Sequence, residues 1–249
     1  LPMFPKELSN GACSLNEGEA KLTFSCMMRL DAQGNAVSHR IAETVIQSAH
    51  RMTYDDVDAL LDGDAALREK YADALDMLEN MRTLAGLLHE KRIKRGCLDF
   101  DLDEPGITLD DNGRAVDLKA AVRGISSRMI EQFMLEANET VAAHAAHAGI
   151  PMMFRVHEAP DKDRLNELNI FLGTLGLGVK SMSAKPAQLQ RILMKAAGSK
   201  EEALVGRVML RSMRKARYAH ECLGHFGLAA EYYCHFTSPI RRYPDLVVH

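Results

Sequence analysis

The segment His235-Phe-Thr-Ser-Pro-Ile-Arg-Arg-Tyr-Pro-Asp-Leu-Val-Val-His249 has the residue types of an anion site. Ser238 is a good N-cap, and Pro239 suits a first helical position because its missing N–H would be unpaired there anyway. The free N–H groups and positive dipole end of a helix starting here would attract phosphate or carboxylate. Arg241 and Arg242 then fall in the first turn, where positive charge opposes the dipole, so helix stability does not account for them. A guanidinium in that place can grip a phosphate through two parallel hydrogen bonds. Arg242 points about 100° away from Arg241 around the helix, so the two would not serve a single phosphate equally. The competing reading is a surface helix whose arginines pair with carboxylates such as Asp245.

Other chemistry-bearing groups are weaker. Asp99, Asp101, Asp103 and Asp110 imitate a calcium loop, but Glu104 stands where that loop requires Gly, Pro105 follows, and the last ligand is Asp where Glu is usual. A carboxylate cluster for divalent ions is a second reading of the same residues. His220, Cys222, His225 and His235 match no standard structural zinc spacing, so no zinc is expected. Arg207, Arg211, Arg214, Lys215 and Arg217 form a run without an acidic residue. It can line a phosphate track or be a solvated helix face. No Ser/His/Asp or Cys/His nucleophile pattern and no Gly-rich phosphate loop stands out.

Strands mixed with many helices must position these groups. Lys21 to Leu30 and Asn35 to Ser48 read as strands joined through Asp31-Ala-Gln-Gly34. Thr53-Tyr-Asp-Asp56 resembles a capping box opening a short helix. From Asp64 to about Lys94 apolar residues recur at helical steps, and Gly96 ends the pattern. Ile107 to Leu118 carries the hairpin signal Asp110-Asp-Asn-Gly113. Ser126 or Ser127 can cap a helix running to about His147, ended by Gly149 and Pro151. A short strand, Met152 to Val156, precedes helices at Lys162 to Leu175, Pro186 to Ala197 and Lys200 to Tyr218.

The 249 residues are 47% hydrophobic and 26% charged, ordinary for a globular protein. A net charge of −3 is not that of a general nucleic-acid binder, which is usually basic. No apolar run reaches membrane-spanning length, and Leu1-Pro-Met-Phe-Pro5 is no signal peptide. The odd number of cysteines, 5, without a Cys-x-x-Cys pair, suits free thiols in a reducing cytoplasm.

His235-Phe-Thr-Ser-Pro-Ile-Arg-Arg-Tyr243 resembles the signature of the ribonuclease II/ribonuclease R superfamily. Leu8-Ser-Asn-Gly-Ala-Cys-Ser-Leu15, Leu98-Asp-Phe-Asp101, Glu136-Ala-Asn-Glu139, Arg155-Val-His-Glu158 and Arg217-Tyr218…Gly224-His-Phe-Gly-Leu228 resemble the same family in the expected order. The stretch from Gly224 to Asp245 is closer to the ribonuclease R branch. The resemblance covers residues 1–249 as one partial catalytic domain of the RNB type. It implies a mixed α+β fold in the α/β class, with a mixed sheet surrounded by helices and incomplete at both ends. By the same likeness this is an internal piece of a longer protein, and the family's metal-binding aspartates lie upstream of it.

The resemblance implies processive hydrolysis of single-stranded RNA from the 3′ end to nucleoside 5′-monophosphates. It implies two Mg²⁺ ions whose main ligands lie outside this chain, so the chain alone is expected to be inactive. Arg241 would hold the scissile-region phosphate, with Ser238 beside it in the signature. Phe100 matches the family aromatic that clamps bases near the 3′ end; otherwise it is a core phenylalanine. Tyr54 matches the tyrosine that meets the ribose 2′-hydroxyl; otherwise it packs at a helix start. Glu131 matches a carboxylate at the 3′-terminal nucleotide; otherwise it is a solvated helix residue. The metal aspartates of the family sit elsewhere than Asp99 to Asp103, and His225 and His235 occur in it without zinc. A non-catalytic RNA-binding relative and a protein-interaction scaffold are the alternatives.

Overall fold

The computed structural model describes residues 2–100, 105–110, 113–120 and 123–249. After one wide helical turn at Glu7–Ala12 come β1 (Ala20–Leu30) and β2 (Ala36–Gln47), an antiparallel hairpin running from Ala20↔Gln47 to a register shift at Arg29/Leu30. The expected turn joins them. Asp31 Oδ1 accepts from the backbone N–H groups of Gln33 (2.9 Å) and Asn35 (2.8 Å), and Gly34 takes φ 77°.

Helix α1 (Tyr54–Asp62) opens as its sequence predicts, with Thr53 Oγ1 accepting from Asp56 N at 3.1 Å. The single helix expected from Asp64 to Lys94 is instead two, α2 (Ala65–Lys70) and α3 (Ala72–Arg95). Tyr71 breaks them at φ −115°, ψ 34° and buries its ring edge-on to His50, with centroids 5.3 Å apart. Tertiary burial of an aromatic outweighs local continuity. Gly96 ends α3 at φ 101°, where a Cβ would meet the Ala187 backbone nitrogen at 2.8 Å. Both the backbone angle and that approach require glycine.

β3 (Pro105–Leu109) and β4 (Ala115–Ala120) form the second expected hairpin. Helix α4 (Ile125–Ala148) follows and ends at Gly149 as foreseen, but neither Ser126 nor Ser127 caps it. Its N-cap is Gly124, and the side-chain acceptor comes from α1: Asp58 Oδ1 takes the Ser126 N–H at 2.7 Å. A carboxylate at that positive helix end is doubly favourable.

The last third contains β5 (Phe154–Val156), α5 (Lys162–Thr174), α6 (Pro186–Ala196), α7 (Glu202–Ser212), β6 (Arg217–Ala219) and α8 (Tyr243–Val248). The helix expected over Lys200 to Tyr218 is corrected. It stops at Ser212, and Arg217–Ala219 pairs with β5 in the register Phe154↔Ala219, Arg155↔Tyr218, Val156↔Arg217. A strand partner far away in sequence overrides local helical spacing.

The mixed helix-and-strand class stands. The expected mixed sheet is corrected in its pairing: among the described residues the strands form three separate two-stranded antiparallel ladders. Phe24, Cys26 and Ile41 of the first hairpin and Phe154 and Val156 of β5 join Val141 and Ala142 of α4 in one apolar cluster. The first and third ladders thus share one apolar cluster with α4. A second cluster, rich in leucine, unites α5, α6 and α7 with Leu98.

Candidate nucleic-acid interface

Helix α4 buries Gln132, Glu136 and Asn138, polar residues that a helix core excludes unless they are bonded. Asn138 is the anchor of the signature segment. Its Oδ1 accepts from Phe236 N at 2.9 Å, its Nδ2 donates to the Tyr233 hydroxyl at 3.3 Å, and its carbonyl accepts from the Cys234 thiol at 3.3 Å. Glu136 meets Lys91 at 3.1 Å and Arg92 at 3.7 Å. Glu139 takes Arg95 through two bonds of 2.6 and 2.7 Å. The Glu136-Ala-Asn-Glu139 stretch therefore ties α4 to α3 on one side and to the signature on the other.

From this anchor the chain turns. The N–H groups of Arg241 (3.2 Å) and Arg242 (3.1 Å) both donate to the Ser238 carbonyl, closing one isolated turn. The helix expected to begin at Ser238 begins at Tyr243, with Arg242 as its N-cap and Pro244 in its first turn. The cause is Asp245, whose side chain is fully buried. One of its oxygens accepts from Ser238 N at 2.8 Å and from Arg242 Nη2 at 2.7 Å, which holds Arg242 extended at φ −135°, ψ 117°. The helix end imagined at Ser238 is thus absent as an anion cradle.

The two arginines divide. Arg242 makes the carboxylate pair that the competing reading foresaw. Arg241 is exposed, and its guanidinium makes no hydrogen bond or ion pair among the described residues. A cation held on a braced turn and left unneutralised is available to a ligand.

The other expected contacts lie around the start of α4. Tyr54 is 54% exposed at the first position of α1, and its carbonyl accepts from Ser126 Oγ at 3.1 Å. Glu131 is exposed and lines a cavity of about 320 Å³ between α3 and α4, along with Arg82, His89, Arg92 and Asp99. Phe100 is half-buried, packs against the leucine cluster, and lines a neighbouring cavity of about 200 Å³ with Leu193 and Met194. Part of its ring therefore does serve the core. The two cavities share Ile93 and Asp99, so the structure brings Glu131 and Phe100 to adjoining spaces. Arg241, Ser238 and Tyr54 line neither. Asp101 and Asp103 lie outside the described residues, while Asp110 Oδ1 accepts from Arg114 N at 2.8 Å in the β3–β4 turn.

The histidines of this region build a ring ladder. His157 and His225 meet with centroids 5.0 Å apart, His225 and Tyr233 at 5.2 Å, Tyr233 and His235 at 5.7 Å. Tyr218 closes the series, its hydroxyl 2.7 Å from His235 Nδ1. His225 Nδ1 accepts from Leu228 N at 3.2 Å, and His157 Nδ1 from Gly227 N at 3.1 Å. Burial pushes His225 down to about 3 and His235 down to about 4, the positive charge of Arg242 adding to the latter. These rings are neutral packing elements, and His220 stands apart, exposed beside Glu221.

The basic run is split by the end of α7. Arg207 and Arg211 lie on the helix, Arg214 and Lys215 in the connection, and Arg217 on β6. Sequence reasoning assigned no role to Asn138 or Asp58. The signal for Asn138 was a polar residue at an apolar-stripe position of α4; nothing local distinguishes Asp58 from the other aspartates of α1.

Comparison with known proteins is unambiguous about family. The RNB domain model matches residues 1–249, and the chain belongs to the RNB domain family. It is 45% identical over 251 residues to ribonuclease R of Thermotoga maritima, covering 100% of this chain and 35% of that protein. To ribonuclease R 1 of Lactococcus lactis it is 44% identical over 251 residues, covering 100% of this chain and 31% of the relative. The structure of Mycoplasma genitalium RNase R in complex with ribose methylated single-stranded RNA superposes with a TM-score of 0.92 at 31% identity, over 100% of this chain and 39% of that one. The chain thus spans about a third of the length of the curated relatives it matches.

Proposed function

We propose that this chain is part of an exoribonuclease that degrades single-stranded RNA from its 3′ end, one nucleotide at a time, releasing nucleoside 5′-monophosphates. The observation that carries the reading is the division of labour in the signature: Arg242 and Asp245 brace the turn, and Arg241 is left exposed with no hydrogen-bond or ion-pair partner for its side chain among the described residues. The likeness to ribonuclease R proteins over the whole chain supports it.

In this reading Arg241 holds a phosphate at the reacting end. Its bond strengthens as negative charge builds on the phosphoryl oxygens, so it acts on rate more than on affinity. The exposed Tyr54 phenol meets a ribose 2′-hydroxyl, being able to donate and accept. Phe100 presents the free part of its ring to a base, a contact that tolerates any sequence. Glu131, a carboxylate beside a polyanion, accepts from a sugar hydroxyl or a base donor.

The reading includes dependence on Mg²⁺. Among the described residues no group of three or more His, Cys, Asp or Glu side chains is placed to hold a metal ion, so they do not fit that site. The ligands of the metal are proposed to lie outside these residues. A cytoplasmic setting is proposed from the five free cysteines.

The test is hydrolysis by the full-length protein of an unstructured RNA labelled at its 5′ end, beside the DNA of the same sequence. Stepwise shortening of the RNA with 5′-mononucleotide products, and no cleavage of DNA, is expected. Internal cuts, or an RNA left intact with Mg²⁺ present, would overturn the reading; binding without hydrolysis would mark a non-catalytic relative.

A further inference from the structure

Five cations line one open cleft of about 860 Å³ at the His157 end of the histidine ladder; one of them, Arg214, is paired with Asp161, which lines the cleft as well, and four are not. Arg155 comes from β5, Arg164 from the first turns of α5, Arg211 from the last turn of α7, and Lys215 from the connection that follows. The carboxylates nearest them are already engaged. Asp161 pairs with Arg214, and Glu158 pairs with Arg214 at 3.8 Å and Arg217 at 3.3 Å. Among the described residues none of Arg155, Arg164, Arg211 and Lys215 forms an ion pair. Glu167 lines an adjoining, smaller cleft with Arg164 and Arg211.

The cleft is mechanically joined to the signature. Arg155 lies 4.6 Å from the centroid of its cross-strand partner Tyr218, whose hydroxyl meets His235 Nδ1 at 2.7 Å. Like charges gathered from four elements repel one another in the free protein, and a polyanion relieves that repulsion. Their spread over several elements suits consecutive phosphates rather than one bidentate anion.

We infer that this cleft carries the phosphate backbone of single-stranded RNA, at nucleotides on the 5′ side of those held near Arg241. The inference rests on the exoribonuclease reading and adds a second contact region to it. Base identity is not read there; the cations meet phosphates, and affinity is strongly salt-dependent.

The test uses the full-length protein with Arg164→Gln, Arg211→Gln and Lys215→Gln combined; Arg155 is spared because it packs on Tyr218. Three lost phosphate contacts, at about 0.7 each on single strands, flatten the slope of log affinity against log salt by roughly 2. At 0.1 M salt that corresponds to roughly a hundredfold weaker binding of a long unstructured RNA, if the affinities converge near 1 M. Turnover of an RNA of about four nucleotides, held near Arg241, stays at the wild-type value. The control removes the same charge elsewhere: Lys94→Gln, Lys195→Gln and Lys200→Gln, all exposed and outside the cleft. If the triple variant misfolds, Lys215→Gln alone is expected to lower the slope by about 0.7. Unchanged slope and affinity in a variant whose parent hydrolyses RNA, or an equal loss in the control, overturns the cleft and leaves the exoribonuclease reading standing. A wild-type protein that neither binds nor hydrolyses RNA overturns both.

Discussion

Arg241→Ala and Arg242→Ala, neighbours in sequence, should fail in different ways. Asp245 is fully buried, and one of its oxygens serves both Ser238 N and Arg242, while its Oδ2 has no hydrogen-bond partner among the described residues. Removing the Arg242 guanidinium leaves a buried carboxylate facing a single backbone N–H. Breaking such a pair from one side costs about 3–5 kcal/mol. The Arg242 side chain keeps 27% of its exposure, so solvent screening puts the expected loss near the lower end, about 3 kcal/mol. Arg241→Ala removes no side-chain hydrogen bond or ion pair among the described residues and should move stability by less than about 0.5 kcal/mol. In single-turnover hydrolysis by the full-length protein, Arg241→Ala should nevertheless cost a hundredfold or more, about 3–4 kcal/mol of transition-state stabilisation. Arg241→Lys should restore only part, supplying charge without the planar fork. Urea unfolding beside the rate assay separates the two effects. Replacing the whole pair, Arg242→Met with Asp245→Leu, should recover part of the stability lost in Arg242→Ala, the Ser238 N–H being left without its acceptor. Equal destabilisation by the two alanine variants, or full turnover without Arg241, would refute the division of roles.

Phe100→Ala in the full-length protein should weaken RNA binding by about 1–3 kcal/mol, and Phe100→Leu, which keeps apolar bulk against the leucine cluster, should restore stability but not binding. Recovery of both by leucine would make Phe100 a core residue only. Asn138→Ala strips the acceptor from the Phe236 N–H and should cost about 1–3 kcal/mol in urea unfolding. It should also lower turnover more than RNA affinity, because it loosens the segment leading to Arg241; intact turnover would separate that anchor from the site. Acid should destabilise the fold through His225, whose folded value of about 3 lies below its unfolded one. Such a group favours the folded state fully above about pH 6.5, and the advantage is lost as pH falls toward 3, by about 2 kcal/mol at pH 5. Stability measured from pH 7 to 5 should fall less steeply in His225→Asn than in wild type, and parallel curves would show that the ring is not buried neutral.

The local signals were legible because they concern bonds a few residues long. The Asp31 turn, the Thr53 cap, the glycine stops at Gly96 and Gly149 and the Gly113 hairpin all formed where composition placed them. What failed locally was overruled from a distance. Tyr71 broke a good helical pattern because its ring found a buried site, and β6 left the helical run because Tyr218 pairs with Arg155. Neither partner lies within a turn of the residue it captured, so no periodicity could reveal it.

The candidate site shows the same limit in sharper form. Two adjacent arginines look alike in sequence, and helical geometry assigned them directions on a helix that does not start there. Their difference is set by Asp245, a carboxylate three residues beyond Arg242 that becomes decisive only once it is buried. Burial converts an ordinary surface pairing, worth little in water, into a constraint that fixes the backbone. Asn138 acts likewise: on an exposed helix face it would be inert, but in the α4 interior its amide must be satisfied, and the bonds that satisfy it are those that hold the signature. Exposure is then the physical criterion that separates reactive from structural groups here. Arg242, Asp245 and Asn138 spend their hydrogen bonds inward and keep the turn in place, which leaves Arg241 as a cation of the signature without a partner among the described residues, the one the proposed function assigns to RNA.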